Sequence, residues 1–203
     1  MKHDIRGAAH NTIIDWVEPG SSVLELGCGS GELLSRLVIE KSVKAQGIEI
    51  DDASIRLCVQ KGLNVLHEQV DAALRDYADN SFDFTILDQS LQRVVRQPDV
   101  VLAEALRVSR KTIVGFSNFA HYRARYQIFF KGRTPVTTSL PYEWHDSPNI
   151  HFLSIIDFID YCHSRGITIE KAAYFGHGGS TRLWPNPRAL TGFFQISRGI
   201  PAG

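Results

Sequence analysis

Between Ser21 and Ser117 the chain repeats one unit: a short β-branched or apolar run, a turn, then a longer segment whose apolar residues fall at helical spacing. The pattern predicts strands at Ser22 to Leu26, Ala45 to Glu49, Asn64 to His67, Phe82 to Leu87 and Thr112 to Phe116. It predicts helices near Gly31 to Lys41, Asp52 to Lys61, Ala72 to Tyr77 and Pro98 to Val108, with apolar stripes such as Leu33, Leu34, Leu37 and Val38. Strands separated by helices of this length must be joined by crossovers, so the sheet is expected to be parallel, with helices on both faces. That is a doubly wound α/β core.

With 203 residues and 43% hydrophobic side chains, the chain suits one folded domain spanning 1–203. Lys plus Arg and Asp plus Glu are 22 each, so no global field would draw the protein onto nucleic acid or anionic lipid, and neither is expected as a partner. No run approaches the length of a membrane span and the N-terminus is polar, which predicts a cytoplasmic protein without a signal peptide. Cys28, Cys58 and Cys162 lack metal-ligand spacing and are read as buried reduced thiols; no metal is expected.

Charge is nevertheless uneven along the chain. Residues 1–104 carry 10 basic and 17 acidic side chains, and residues 105–203 carry 12 and 5. Between Glu104 and Glu143 there are seven basic residues and no acid. After Phe116 the strand-helix rhythm stops, and 117–151 reads as aromatic and basic residues followed by turns at Gly132, Pro135, Pro141 and Pro148. Connections this long in compact domains usually serve binding, so the segment is read as a lid or partner-docking insertion. A helix from Ser154 to Arg165 and a late antiparallel hairpin, Thr168 to Phe175 with Leu190 to Ser197, complete the chain.

One motif carries most of the chemistry. Gly27, Cys28, Gly29, Ser30, Gly31 ends the first strand and opens the first helix of the repeat, and its GxGxG spacing differs from the GxGxxG of a pyrophosphate-binding turn. Glu25, two residues earlier, is placed to meet a cationic amine or to fix the loop. Glu49, followed by Ile50 and Asp51, ends the second strand about 20 residues after the glycines, where a carboxylate accepts hydrogen bonds from ribose hydroxyls. Together they describe a ligand that contains adenosine but no diphosphate.

In Glu25, Gly27, Gly29, Gly31, Glu49 and Asp88 the chain resembles the class I S-adenosylmethionine-dependent methyltransferases, which implies a Rossmann-like fold and S-adenosylmethionine, or S-adenosylhomocysteine, as cofactor. The resemblance implies that the glycine loop, Cys28 included, faces the methionine part, that Glu49 beside Ile50 holds the ribose, and that Asp88 lies near the methyl-transfer side. The adenine amine would meet either Gln69 or Asp71.

A narrower resemblance rests on Ile13 to Gly20, Asp88 to Gln92, the block Gly132, Arg133, Thr134, Pro135, Val136, Thr137, and the block Leu140, Pro141, Tyr142, Glu143, Trp144. In these the chain is similar, up to about Phe175, to the MetW-type methionine-biosynthesis proteins. That resemblance implies a partnership with, and support of, homoserine O-acyltransferase. If the chain is instead an active methyltransferase on a small molecule, the candidate bases are His121, His145, His151 and Asp88, and no spacing singles one out.

Overall fold

Alternation along the first strand sets the architecture. Val23 and Glu25 point to one face of the sheet, Leu24 and Leu26 to the other, and both faces are covered. The computed structural model describes residues 2–93 and 95–199. Its elements run α1 (Lys2–Trp16), β1 (Ser22–Leu26), α2 (Glu32–Lys41), β2 (Lys44–Glu49), α3 (Asp52–Gln60) and β3 (Asn64–His67). Then come α4 (Val70–Ala73), continued by a 3-10 turn (Leu74–Asp76), β4 (Phe82–Asp88), α5 (Ser90–Arg93), α6 (Pro98–Val108), β5 (Ser109–Ser117) and α7 (Tyr122–Lys131). The chain closes with α8 (Ile155–Ser164), β6 (Ile167–Gly176), β7 (Gly179–Ser180), α9 (Pro185–Arg188) and β8 (Thr191–Arg198).

The strands form one sheet in the order β3-β2-β1-β4-β5-β8-β6-β7. The first five are parallel; β8 lies antiparallel between β5 and β6 and pairs with both. The fold is therefore the expected α/β Rossmann-like one, a mostly parallel sheet with antiparallel C-terminal strands. Chain direction away from β1 reverses between β2 and β4, and at such a switch point the carboxyl ends of the strands open a crevice.

Two apolar layers hold the sheet. On one face Leu24, Leu26, Leu87, Val114 and Phe194 meet residues of α5, α6 and α8, and Phe116 stacks on Phe194 with ring centroids 5.7 Å apart. On the other, Val23, Phe84, Ile86, Ile113 and Phe193 pack under Ile13 and Ile14 of α1, Val17 just after it, and Leu33 and Leu37 of α2. Each fully buried side chain of this size contributes roughly 1.5–3 kcal/mol. By the same alternation Glu25 and Asp88 lie on the α1 face, where the apolar layer gives way at the carboxyl end.

Besides the short α5, β7 and α9, the structure departs from the sequence reading in three larger elements. Helix α1 was not expected, although Ala9, Ile13 and Ile14 make its buried stripe. The segment read as a helix from Ala72 to Tyr77 is the short α4 and a 3-10 turn, because the Arg107 guanidinium takes the carbonyls of Leu74 and Tyr77 at 3.0 and 2.8 Å. Within 117–151 a ten-residue helix, α7, forms behind His121, whose side chain accepts the Arg123 N–H as N-cap. That segment is anchored by Gln92, fully buried: its amide pairs with both backbone groups of Ser117 at 2.9 Å, and its carbonyl accepts the Ile150 N–H at 2.7 Å.

Candidate cofactor site

The glycine loop is held from several sides before any ligand arrives. Gly27 and Cys28 donate their N–H groups to the Ile48 carbonyl at 2.8 and 3.1 Å. Gly29 donates to Glu49 Oε2 at 2.8 Å, and its carbonyl accepts from Cys58 Sγ at 3.1 Å. Lys61 Nζ donates to the Ser30 carbonyl at 2.6 Å. A loop so tied pays little ordering cost on binding. The glycines divide the work: Gly29 (φ +53) has nothing within 4 Å of where a Cβ would stand, whereas a Cβ on Gly31 (φ +69) would press into Leu63 and lie 2.8 Å from Cys58 Sγ.

Above this loop lies a cleft of about 520 Å³, bordered by α1, the loop, the end of β4, the start of β8 and residues 138–142. Of the residues singled out in the sequence, Glu25, Gly27, Cys28, Gly29 and Asp88 line it. Glu49 stands behind the loop, 7% exposed, with Oε1 accepting the N–H groups of Ile50 and Asp51 at 2.8 and 3.0 Å. It spends three acceptor positions on backbone, leaving one on Oε2. Gly31 faces α3, Ile50 is half exposed, and Gln69 is exposed at the start of α4. The Asp71 carboxylate accepts from the backbone N–H groups of Arg96 and Gln97 at 3.1 and 3.2 Å, a cap at the entry to α6.

The cleft is lined by three acids, Glu25, Glu32 and Asp88, and two cations, Arg6 and Arg93. Glu25 is buried and its Oε2 has no hydrogen-bond partner among the described residues. Burial first, and the Asp88 carboxylate second, push Glu25 well above the usual carboxylate range, while Arg6 pulls it back. Burial and the nearby Glu25 also drive the Cys28 thiol far up, so it stays protonated. A buried acceptor without a donor, beside open space over Gly29, fits the positively charged methionine end of S-adenosylmethionine, and Glu49 retains an acceptor position for a hydroxyl.

The sequence reading missed His10. Helix α1 lays it, 2% exposed, over the end of β4 with Nε2 3.3 Å from Asp88 Oδ2. Its place one turn before Ile13 and Ile14 was the available signal. The three histidines proposed as bases do not line the cleft. His121 is the N-cap of α7, His151 Nε2 bonds the Val95 carbonyl at 3.1 Å, and exposed His145 lies 3.6 Å from Glu143. On the opposite wall Thr138, Ser139, Tyr142 and Thr191 offer hydroxyls.

Strand order and glycine loop together define a Rossmann-like methyltransferase fold. Solved structures agree: a methyltransferase of Thermotoga maritima described as a possible histamine N-methyltransferase superimposes with TM-score 0.66 at 17% identity, covering 97% of this chain and 91% of that one. An S-adenosylmethionine-dependent methyltransferase of Archaeoglobus fulgidus gives 0.71 at 12% identity, with 96% and 94% covered. A Burkholderia thailandensis 1,6-didemethyltoxoflavin-N1-methyltransferase, solved with bound S-adenosylhomocysteine, gives 0.63 at 10%, with 97% and 78% covered. At these identities the likeness is one of fold.

Within that class the chain belongs to the MetW family, described as methionine biosynthesis protein MetW, which it matches over residues 7–196. A bifunctional methionine biosynthesis protein MetXA/MetW of Rhodopirellula baltica is 28% identical over 184 residues, or 86% of this chain. The chain spans 29% of that relative's length.

Proposed function

We propose that the protein binds S-adenosylmethionine, or S-adenosylhomocysteine, in the cleft at the carboxyl ends of β1, β2 and β4, and that it acts in the cytoplasm as a partner of homoserine O-acyltransferase, supporting that enzyme's activity. The observation that carries the first half is the orphaned Glu25 Oε2 above a pre-tied glycine loop. The second half is supported by membership of the MetW family and by a relative whose name joins MetXA to MetW in one chain.

In this reading Glu25 and Asp88 meet the cationic methionine end, Gly27 to Gly29 offer backbone without side-chain obstruction, and Glu49 takes a ribose hydroxyl. The adenine lies toward Gln69; the backbone cap made by Asp71 argues for Gln69 over Asp71. Because S-adenosylmethionine is made from methionine, occupancy of the cleft reports pathway output to the acyltransferase, and the coupling is reciprocal: the acyltransferase alters cofactor affinity by the same factor. The test is acyl transfer by the host's homoserine O-acyltransferase with and without this chain, each with and without S-adenosylmethionine. Activity indifferent to the chain refutes the partnership; activity indifferent to the cofactor refutes the coupling.

A second reading, a methyltransferase on a small molecule, is favoured by one observation. His10 is paired with Asp88 on the cleft wall, where it can hold a proton taken from an acceptor. The bound cofactor would supply the electrophilic methyl group. S-adenosylhomocysteine formation with a small-molecule acceptor, lost in His10→Ala, would establish this reading.

A further inference from the structure

Helix α7 is amphipathic the wrong way round. Its one buried residue is Ala124, which faces the body of the protein. At 100° per residue, Tyr122, Tyr126, Phe129 and Phe130 fall on the opposite side, at the i, i+4, i+7, i+8 positions of a stripe that points away from the protein. Phe129 is 81% exposed, Phe130 68% and Tyr126 53%. Phe129 packs on Phe130 at 4.8 Å and Tyr126 on Phe130 at 5.0 Å, while Tyr122 at the start of the stripe lies against the His121 ring at 4.5 Å. Contiguous exposed aromatic surface of this kind marks an interaction site.

The charges around the stripe have one sign. Arg123 and Arg125 flank it on its two sides, Lys131 and Arg133 follow at its end, and none of the four forms an ion pair among the described residues. Arg123 lies over the Tyr122 ring at 5.8 Å and Lys131 over Tyr126 at 6.0 Å, so the cations sit at the rim of the apolar surface. Two copies meeting through this face would bring like charges together, which disfavours self-association. Tyr, Phe and Arg are the residues that anchor protein interfaces, and a stripe at these positions is the helix-in-groove mode of recognition.

We propose that α7 docks, through Tyr122, Tyr126, Phe129 and Phe130, into an apolar groove rimmed by carboxylates on a protein partner. Resting on the function proposed above, that partner is homoserine O-acyltransferase. The helix is separate from the cofactor cleft, which none of its residues lines. Binding is therefore separable from cofactor affinity by substitution.

The test uses the full chain and the host's acyltransferase, with association measured by calorimetry. Phe129→Ser/Phe130→Ser and, separately, Arg123→Glu/Arg125→Glu are expected each to weaken the complex at least about tenfold, and the wild-type complex to weaken with added salt. Both variants replace exposed side chains, and unchanged S-adenosylmethionine affinity would show that they remain folded. If the wild type binds and both variants bind equally well, the docking site is overturned and the partnership stands. If the wild type does not bind the acyltransferase, the partnership fails and the proposal with it. Concentration-dependent self-association, or binding to vesicles of phosphatidylcholine and phosphatidylserine in equal parts, lost in the same variants and without acyltransferase binding, would overturn the assigned partner.

Discussion

Glu49 Oε2 accepts the Gly29 N–H at 2.8 Å, tying the loop after β1 to the end of the neighbouring β2. The carboxylate thus shapes the glycine loop, and in the proposed binding mode it also meets a ribose hydroxyl. Glu49→Gln replaces one acceptor oxygen with an amide that cannot receive these N–H donors. A charged-group hydrogen bond of this kind is worth about 2 kcal/mol, and the melting temperature should fall by about 4–8 °C. S-adenosylmethionine affinity should fall at least about tenfold. Scanning fluorimetry and calorimetry check the two separately; a lowered melting temperature with unchanged affinity would refute the ribose assignment.

Gly29 and Gly31 share a motif but not a role, and alanine separates them. Both have positive φ, so each alanine bears a strain of about 1 kcal/mol. At Gly29 the new methyl enters open space on the cleft, so beyond the fall of about 2–4 °C that this strain costs the loss should appear in cofactor affinity. At Gly31 it presses into Leu63 and Cys58, and the loss should appear mainly as stability, a further 1–3 kcal/mol or so by overpacking. Equal effects of the two substitutions on both readouts would contradict this division.

The repeating strand-helix rhythm made the parallel half of the fold legible, because period-2 and period-3.6 patterns are local and both faces of the sheet demand them. The insertion of β8 between β5 and β6 was not, since pairing order depends on contacts far apart in the chain, such as Ile113 with Gln195. Helix α1 escaped notice because its apolar residues cluster at one end, and His10 was lost with it. The block from Asp88 to Gln92 was one of several that carried the family resemblance; its physical meaning, the Gln92 clamp on Ser117, shows only in three dimensions. Helix α7 was obscured for the opposite reason: its apolar stripe faces outward, so no burial pattern announced it.

Glu25 should make the protein less stable as pH rises. Its folded-state pKa lies well above the ordinary 4.5, so from about that pH upward the unfolded chain gives up a proton that the folded one keeps. Stability is fully present below this range and is lost as pH rises toward the raised value. Glu25→Gln removes the burden: at pH 7.5 it should melt higher than wild type by about 2–4 °C, one kcal/mol or more of relief. It should also bind S-adenosylmethionine at least about tenfold more weakly for want of the carboxylate. A variant no more stable than wild type across this range would show that the buried carboxylate carries no such burden.

His121 acts in the opposite sense. Burial, His177 and Arg123 lower its pKa to about 4 from the ordinary 6.5, and Nδ1 accepts the Arg123 N–H, which places the proton on Nε2. The folded protein holds the ring neutral while the unfolded chain protonates it below pH 6.5, so stability present above that pH is lost as pH falls toward 4. His121→Asn keeps an N-cap acceptor for α7 and removes the titration. Urea midpoints at pH 7 and pH 4.5 should therefore differ less in the variant than in the wild type, with S-adenosylmethionine affinity unchanged because His121 is not on the cleft. An equal drop in both proteins would mean that the ring is not held neutral by its surroundings, and loss of cofactor binding would return His121 to the candidate site.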